Sequence, residues 1–202
     1  MKKFILISAL FAICTAVFTA CAGCSKEAKT EPTPEVVKGI VLENTISTDR
    51  EFMYLKYAAD YVWYESQITL CDNLNAESCD GAIDHVTNVY QFIAQDGEPQ
   101  VILSAWEKGK IHNSPAPIAD VYLGDNPISN VPINLTFKQA FERLKQANTV
   151  LPGNRQCVLR KPVQPDGLTK NPQYIFGGPK RWVKVDAVTG DVTSGSDPDP
   201  DY

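Results

Sequence analysis

The clearest periodic pattern of apolar and polar positions lies in the C-terminal third of the chain, where it predicts a helix. Five apolar residues recur at the spacing of one helical face: Phe137, Ala140, Phe141, Leu144 and Ala147. Charged and amide side chains fill most of the positions between them. Thr136 is a favourable N-cap residue, and Pro152-Gly153 is expected to end the helical segment. We therefore predict one amphipathic helix over about 137–147.

Short apolar or alternating runs follow this helix and predict strands. They cover residues 155–163, 173–176 and 181–187. Gly177-Gly178-Pro179 predicts a hairpin between the second and third runs, and Thr189-Gly190 predicts the turn after them. The C-terminal part of the chain is therefore expected to be a helix followed by antiparallel strands.

A similar order of helix and strands appears between residues 40 and 127. The run Ser47–Glu51 offers cap residues followed by an acid, a pattern typical of a helix start. Helical spacing of apolar residues then continues to about Asp60. From Tyr61 to Leu70 the pattern changes to alternation, which predicts a strand. Regular alternation would place Trp63 and Ser66 on opposite sides of that strand.

Two more strand signals, at 85–94 and 99–111, flank the strong hairpin turn signal Asp96-Gly97. Residues 119–123 predict a further short strand after a loop at Pro115 and Pro117. A helix followed by an antiparallel meander is typical of the α+β class. We predict an α+β fold with a helix packed on an antiparallel sheet, built either as one unit or as two small helix-plus-sheet halves.

The N-terminus has the pattern of an export signal. Residues 1–20 begin with two lysines and continue as an uninterrupted run of apolar and small residues. The run ends in Val-Phe-Thr-Ala directly before Cys21, which resembles the lipobox of bacterial lipoproteins. That resemblance implies that Cys21 is diacylated and becomes the first residue of the mature protein, although Phe18 stands where the family usually has Leu. Cys24 is a second candidate, and an uncleaved membrane anchor is the alternative.

Composition and charge narrow the classes of partner. The chain has 202 residues, of which 44% are apolar and 21% charged, as in ordinary globular proteins. Its formal net charge of −5 becomes −7 if cleavage before Cys21 removes two lysines and no acid. An acidic protein without a basic cluster is a poor candidate for binding nucleic acid. We expect a folded part outside the cytoplasm, lipid-anchored to the membrane of a bacterial cell envelope.

Two flanking segments lack any apolar period. Residues 21–39 are polar and contain two prolines, and residues 194–202 read Ser-Gly-Ser-Asp-Pro-Asp-Pro-Asp-Tyr. Both compositions are typical of disorder. We interpret the first segment as a tether and the second as an acidic tail.

Cysteines 71 and 79 flank a short polar loop between two predicted strands. In an exported protein such a pair is expected to form a disulfide. The alternative is two reduced cysteines, because a bridge also needs favourable Cβ geometry. A zinc site drawing in His85 is excluded by spacing, since the segment has neither a Cys-x-x-Cys pair nor a second nearby histidine.

The sequence offers little support for catalysis. Cys157 is the only cysteine of the expected folded part without an obvious partner, and a dyad with His85 or His112 would be the one route to an enzyme. A lone cysteine in an apolar strand is more typical of core packing. No nucleophile elbow, phosphate loop or metal-ligand cluster is present. We therefore expect no enzymatic activity, no metal and no cofactor.

Aromatic residues are frequent on the predicted strands. Because alternation buries one side of a strand, some of these rings could face a groove and bind a peptide or a sugar. The candidates for such a surface are Trp63, Tyr90, Trp106 and Trp182. Packing in the core is the competing interpretation for the same rings.

The C-terminal unit resembles a known family. A Thr-initiated amphipathic helix, strands, and a closing strand that ends in Val-Asp-Ala-x-Thr-Gly-Asp-Val are similar to the PepSY domain. The likeness covers roughly residues 118–193, and we place the unit itself at 128–193. Its motif is mostly the turn at Asp186–Gly190, with Tyr174 where the family often has an aromatic residue. A cystatin-like layer or a diverged second copy is the corresponding interpretation of residues 40–127.

The PepSY resemblance implies a small module without chemistry of its own. The family occurs in propeptides of secreted metallopeptidases and in bacterial envelope proteins, where it is associated with binding or restraining peptidases. We therefore expect a non-enzymatic envelope lipoprotein that binds, and could inhibit, an exported peptidase. The alternative is an accessory lipoprotein that binds a small ligand or a glycan. It would need a pocket between helix and sheet lined by some of the four candidate aromatic residues.

Overall fold

The computed structural model describes residues 35–57, 61–93, 99–112, 115–118, 126–129, 131–162 and 171–196. These residues form two helices, α1 (Leu42–Tyr57) and α2 (Phe137–Gln146). Strands follow each helix. After α1 come β1 (Tyr61–Leu70), β2 (Ile83–Ile93), β3 (Pro99–Glu107) and β4 (Ala116–Ile118). After α2 come β5 (Gln156–Arg160), β6 (Gln173–Gly178), β7 (Arg181–Asp186) and β8 (Val192–Gly195).

All the described strands belong to one antiparallel sheet, in the order β4-β3-β2-β1-β5-β6-β7-β8. Each half of the chain is a helix followed by a four-strand meander. The first strands of the two meanders, β1 and β5, pair with each other at the centre of the sheet. The strand order therefore runs outward symmetrically from this central pair. The predicted α+β class is confirmed.

Side chains of both helices contact the same face of the sheet. In α2, the ring centroid of Phe137 lies 6.0 Å from that of Tyr174 on β6. In α1, the carboxylate of Asp49 accepts a hydrogen bond from Asn88 on β2 at 2.8 Å. Residues that pair directly across a sheet lie on the same face. Successive pairs connect Asn88 to Ser66, Ser66 to Leu159 and Leu159 to Tyr174, so Asn88 and Tyr174 lie on one face. Among the described residues, neither helix contacts the opposite face.

Helix α2 forms where the sequence predicts it. Thr136 is the N-cap, and its hydroxyl accepts a hydrogen bond from the amide of Gln139 at 3.2 Å. The side chain of Gln139 in turn accepts from the Thr136 amide at 2.8 Å, which completes a capping box. The apolar face is buried, with Leu144 and Ala140 fully excluded from solvent.

Helix α1 begins five residues before its predicted start. Ser47 lies inside the helix, where its hydroxyl donates to the carbonyl of Glu43 at 3.0 Å. Asp49 faces the sheet and is completely buried. The predicted cap residues therefore have other partners, and the prediction of a helix start at 47–51 was wrong. Neither α1 nor α2 has the length and hydropathy that a bilayer-crossing helix requires, and this holds only for the described part of the chain.

A bulge in β1 changes the faces predicted for that strand. The register with β2 shifts between Trp63 and Glu65, so that one extra residue, Tyr64, is accommodated there. Trp63 pairs with Tyr90 and therefore shares the helix-covered face with Ser66. Simple alternation, which placed Trp63 and Ser66 on opposite sides, was wrong for this reason.

The two edges of the sheet also differ from the sequence prediction. Strand β4 contains Pro117, within the segment interpreted as a loop, and proline is tolerated there because β4 is an edge strand. The strand predicted at 119–123 lies outside the described residues. Strand β8 extends to Gly195, two residues into the expected tail. Within the expected tether, Val36 forms an antiparallel bridge with Ile111.

Candidate functional site

A completely buried carboxylate, that of Asp49 on α1, is the centre of a cluster of polar side chains between this helix and the sheet. Its Oδ2 accepts hydrogen bonds from Asn88 Nδ2 at 2.8 Å and from the Tyr90 hydroxyl at 2.9 Å. Its Oδ1 accepts from Ser104 Oγ at 2.6 Å and from Trp106 Nε1 at 3.1 Å. Four donors from β2 and β3 thus surround one carboxylate, an arrangement that suits its ionised form.

His112 extends the cluster from the segment after β3. Its ring stacks on Trp106 with centroids 3.5 Å apart and planes 10° from parallel. Its Nδ1 lies 3.0 Å from the carbonyl oxygen of Ala105, and because a carbonyl only accepts, Nδ1 carries a proton. Nε2 lies 3.7 Å from Asp49 Oδ1. A second proton on His112 would therefore place a positive charge against the buried carboxylate.

Burial is the main influence on the pKa values of Asp49 and Tyr90 in this cluster. It raises the pKa of Asp49 above its ordinary value, while the hydrogen bonds from Ser104, Asn88 and Tyr90, and then the nearby His112, act in the opposite direction. Burial, and next the charge of Asp49, raises the pKa of Tyr90 well above its ordinary value. The Tyr90 hydroxyl consequently remains a donor to Asp49 over the physiological range.

A second layer of hydrogen bonds fixes the donors themselves. Asn88 Nδ2 also donates to Thr45 Oγ1 at 3.1 Å, and the Asn88 carbonyl oxygen accepts from Ser66 Oγ at 2.6 Å. Thr45 Oγ1 donates to the carbonyl of Leu42 at 2.7 Å. All of these side chains are buried. The cluster therefore holds α1 against β1, β2 and β3, and Asp49 itself has no surface open to a substrate.

The four aromatic residues proposed as a binding surface do not share one surface. Tyr90 is completely buried beside Asp49, and Trp63 is 9% exposed, its Nε1 donating to the carbonyl of Glu65 at 3.1 Å. Trp106 is half-buried under His112. Trp182 pairs with Gly177 and lies on the opposite face of the sheet. The four rings lie apart in the structure because the β1 bulge and the Asp49 cluster turn three of them toward α1.

The candidate catalytic residues are also apart. Cys157 is fully buried on β5 between Ile68 and Phe176, and burial raises the pKa of its thiol well above the ordinary value. His85 Nε2 lies 2.9 Å from Thr87 Oγ1, while His112 belongs to the Asp49 cluster. No described contact joins Cys157 to either histidine. The described residues also contain no group of three or more His, Cys, Asp or Glu side chains that could hold a metal ion.

Cys71 and Cys79 are free thiols in the structure, so the predicted disulfide is not formed. Cys79 is 5% exposed and packs into the hydrophobic core, and its thiol approaches the carbonyl oxygen of Asp72 at 3.9 Å. Cys71 is half-buried. Burial of the Cys79 side chain in the core, rather than a covalent link, accounts for its position.

The Asp-Ala-x-Thr-Gly motif forms the turn between β7 and β8. Asp186 Oδ1 accepts hydrogen bonds from the amides of Val188 at 2.8 Å and Thr189 at 2.9 Å. Gly190 has a φ of 81°, which favours glycine. Ala187 is buried, and its carbonyl accepts from the amides of residues 134 and 135, directly before α2. The motif therefore has a structural role that joins this turn to the start of α2.

Asp49 was the residue that sequence reasoning missed. Its position after Ser and Thr is typical of a helix cap, which concealed its buried role. A signal was nevertheless present in the strands. Alternation places Asn88 with Tyr90 on one face of β2, and Ser104 with Trp106 on one face of β3, so that hydrogen-bonding side chains occupy the face a helix should cover. Because buried polar side chains need hydrogen-bond partners, the helix that covers this face had to supply a buried polar residue.

The lipidation candidate Cys21 and the export signal lie outside the described residues. Comparison with known proteins adds no assignment: no family model, no curated protein and no solved structure matches this chain.

Proposed function

We propose that this chain is a non-enzymatic lipoprotein of the bacterial cell envelope that binds an exported protein through the open face of its sheet. The open face is defined here as the face opposite α1 and α2. One row of paired residues crosses it from β3 to β8. The row consists of Ala105, Thr87, Gln67, Val158, Ile175, Lys184 and Thr193.

The continuity of this row is the observation that carries the proposal. It spans seven neighbouring strands, and at a spacing of about 4.8 Å its width is roughly 29 Å. A standard protein interface covers about 800 Å² on each partner, a patch of similar width. On the same face, Leu103 and Ile118 are 40% and 43% exposed, whereas Val89 and Val101, which pair with them, are buried. Apart from Lys184, the row is a mixture of aliphatic and neutral polar residues, as in a non-obligate interface.

The anchoring part of the proposal rests on the lipobox-like sequence at Cys21. The binding part is supported further by the PepSY-like order of capped helix, strands and Asp-Ala-x-Thr-Gly turn in the C-terminal unit. On that likeness the partner is an exported peptidase, which the protein binds or inhibits. His85 contacts Thr87 and His112 contacts Asp49, while the Cys157 thiol is buried. These positions favour a binding function over a catalytic one.

A site-specific photo-crosslinker in the native envelope tests the proposal. Placed at Gln67 or Thr193, both exposed on the open face, it should yield a covalent adduct with one protein. Placed at Thr48, exposed on α1, it should not. Purified partner should then bind the unmodified chain, and Gln67→Arg should weaken this binding at least ten-fold while Thr48→Arg leaves it unchanged.

The identity of the adduct separates the alternatives. An exported peptidase whose activity falls on binding supports inhibition, and a peptidase with unchanged activity supports binding alone. Two results would reject the open face as the docking surface. One is an adduct from Thr48 alone, and the other is no adduct from any of the three positions. Recovery of glycan without protein would favour the accessory-lipoprotein alternative.

A further inference from the structure

A cavity of about 230 Å³ lies on the helix-covered face, between α1 and the segment that leads into α2. Its floor is formed by Trp63, Leu159 and Tyr174, which belong to β1, β5 and β6. Leu42 and Ile46 of α1 form part of one wall. The cavity therefore sits above the central β1–β5 pair, where the two halves of the chain meet.

The floor and the far wall are fixed by hydrogen bonds. The Trp63 indole nitrogen donates to the carbonyl of Glu65 at 3.1 Å, so the ring contributes an apolar surface with its donor satisfied. The Tyr174 hydroxyl donates to the carbonyl of Leu135 at 3.0 Å. The amide of Leu135 is bound by the Ala187 carbonyl at 3.1 Å. A cavity with such walls is largely preformed, as is usual for small-molecule sites.

Glu43 is the only charged residue among the described residues that line the cavity. Its Oε1 accepts a hydrogen bond from the backbone amide of Phe137, at the start of α2, at 2.7 Å. No described residue donates to its Oε2. Burial, and after it the nearby negative charge of Glu43, raises the pKa of Tyr174. A positively charged group is the natural complement of this half-buried acid.

The size of the cavity limits the ligand. An apolar cavity of about 150 Å³ holds benzene, so by proportion 230 Å³ holds about nine non-hydrogen atoms. Trp63, Leu159 and Leu42 offer apolar contacts, and Glu43 offers one ionic contact. These features select a small molecule with an apolar body and one cationic end.

We propose that the cavity between α1 and the segment that leads into α2 binds a small primary amine with an aromatic or short aliphatic body, its ammonium group on Glu43 and its body over Trp63. This site lies on the face opposite the proposed docking surface and does not depend on it. Glu43 of α1 also accepts a hydrogen bond from the first amide of α2, so the ionic partner of the ligand is a residue that links the two helices.

Titration of the purified full-length chain with 2-phenylethylamine, followed by calorimetry, tests the proposal. The neutral 2-phenylethanol has the same number of non-hydrogen atoms and is the matched probe. The amine should bind at least ten-fold more tightly than the alcohol, as expected of a hydrogen bond to a charged group. Glu43→Gln, whose amide oxygen still accepts from Phe137, should remove this difference and leave the weak binding of the alcohol unchanged.

A filling variant tests the location. Ile46→Trp should abolish binding of both probes, whereas Val41→Trp, exposed and outside the cavity lining, should not. The proposal is overturned if 2-phenylethylamine does not bind at millimolar concentration, if Glu43→Gln binds it as tightly as the unmodified chain, or if Ile46→Trp leaves binding intact. Failure here leaves the open-face crosslinking result untouched, so the two proposals are distinguished.

Discussion

The two halves of the chain place a helix and four strands in the same order but fill the space under the helix with opposite chemistry. Under α2 the contacts are aromatic: Phe137 and Phe141 pack on Tyr174 and Phe176. Under α1, buried apolar residues such as Leu42 and Met53 lie beside hydrogen bonds to the carboxylate of Asp49. One sheet therefore carries an aromatic interior in one half and an interior with a buried polar cluster in the other.

The contrast shows how differently the two interiors define a structure. Apolar packing is non-directional and tolerates exchange of residues of similar volume. A buried carboxylate with four donors requires each donor at one position, and each unmet donor destabilises the fold. We infer that α2 is held mainly by buried area, whereas the rotation and position of α1 are set by Asp49.

Removing apolar volume under α2 should give the largest loss of stability. Phe176 is completely buried and contacts both aromatic residues of α2. Phe176→Ala should lower the free energy of unfolding by about 4 kcal/mol, measured by urea denaturation. Tyr54→Ala, at a position 71% exposed on α1, is the control and should change it by less than about 0.5 kcal/mol. A loss below about 2 kcal/mol would mean that packing does not dominate the C-terminal half.

A glycine between β1 and β2 tests whether the two halves share one core. Gly81 has a φ of 80°, and a Cβ there would lie 2.7 Å from the ring of Phe141 on α2. Gly81→Ala should lower the free energy of unfolding by about 3 kcal/mol, from backbone strain and the clash together. Gly109→Ala has the same backbone strain with no atom within 4 Å, so its loss should be about 1 kcal/mol.

Shortening the clashing side chain provides the second part of this test. In the Gly81→Ala background, Phe141→Leu should cost less than it does in the unmodified chain, because the ring that meets the new methyl group is gone. Strictly additive losses, measured by the same urea denaturation, would show that the first half does not press on the core of the second.

Removing one charge under α1 should have a smaller but more specific effect. Asp49→Asn keeps the side-chain shape but replaces one carboxylate oxygen with an NH2 group. Trp106 donates to one of the two oxygens and Asn88 to the other. Whichever oxygen is replaced, the new NH2 group therefore faces an existing donor. The free energy of unfolding should fall by about 2 kcal/mol. Glu51→Gln, exposed on the same helix, is the matched control and should be neutral. Neutral behaviour of Asp49→Asn itself would contradict the role given to this carboxylate.

The same contrast explains how much of the fold the sequence could predict. Helix α2 is amphipathic and carries a capping box, so its start at Thr136 and its buried residues were predicted correctly. Helix α1 has polar residues on its buried side, so hydrophobic periodicity could not locate its beginning at Leu42. A strand bulge has no signal in simple alternation, which is why the side occupied by Trp63 was missed. The Asp49 cluster joins α1, β1, β2 and β3, and only the three-dimensional structure brings its donors together.

The pH dependence of stability should give the smallest effect and the most direct view of the polar interior. Burial raises the folded-state pKa of Asp49 above its ordinary value of 3.8, so the folded chain binds this proton more tightly than the unfolded chain. The stabilisation from protonation is complete below pH 3.8 and is lost as the pH rises through the folded-state pKa. The unfolding free energy of the parent chain should therefore rise relative to that of Asp49→Asn as the pH falls from 7 toward 4.

Asn88, Tyr90, Ser104, Trp106 and His112 face Asp49, and His112 is the one whose charge acts to lower the pKa of Asp49. The comparison is therefore repeated in a His112→Gln background, where the relative gain should persist. A relative loss on acidification in both backgrounds would place the folded-state pKa below 3.8. The four donors would then outweigh burial, and the polar interior under α1 would hold its charge more strongly than water does.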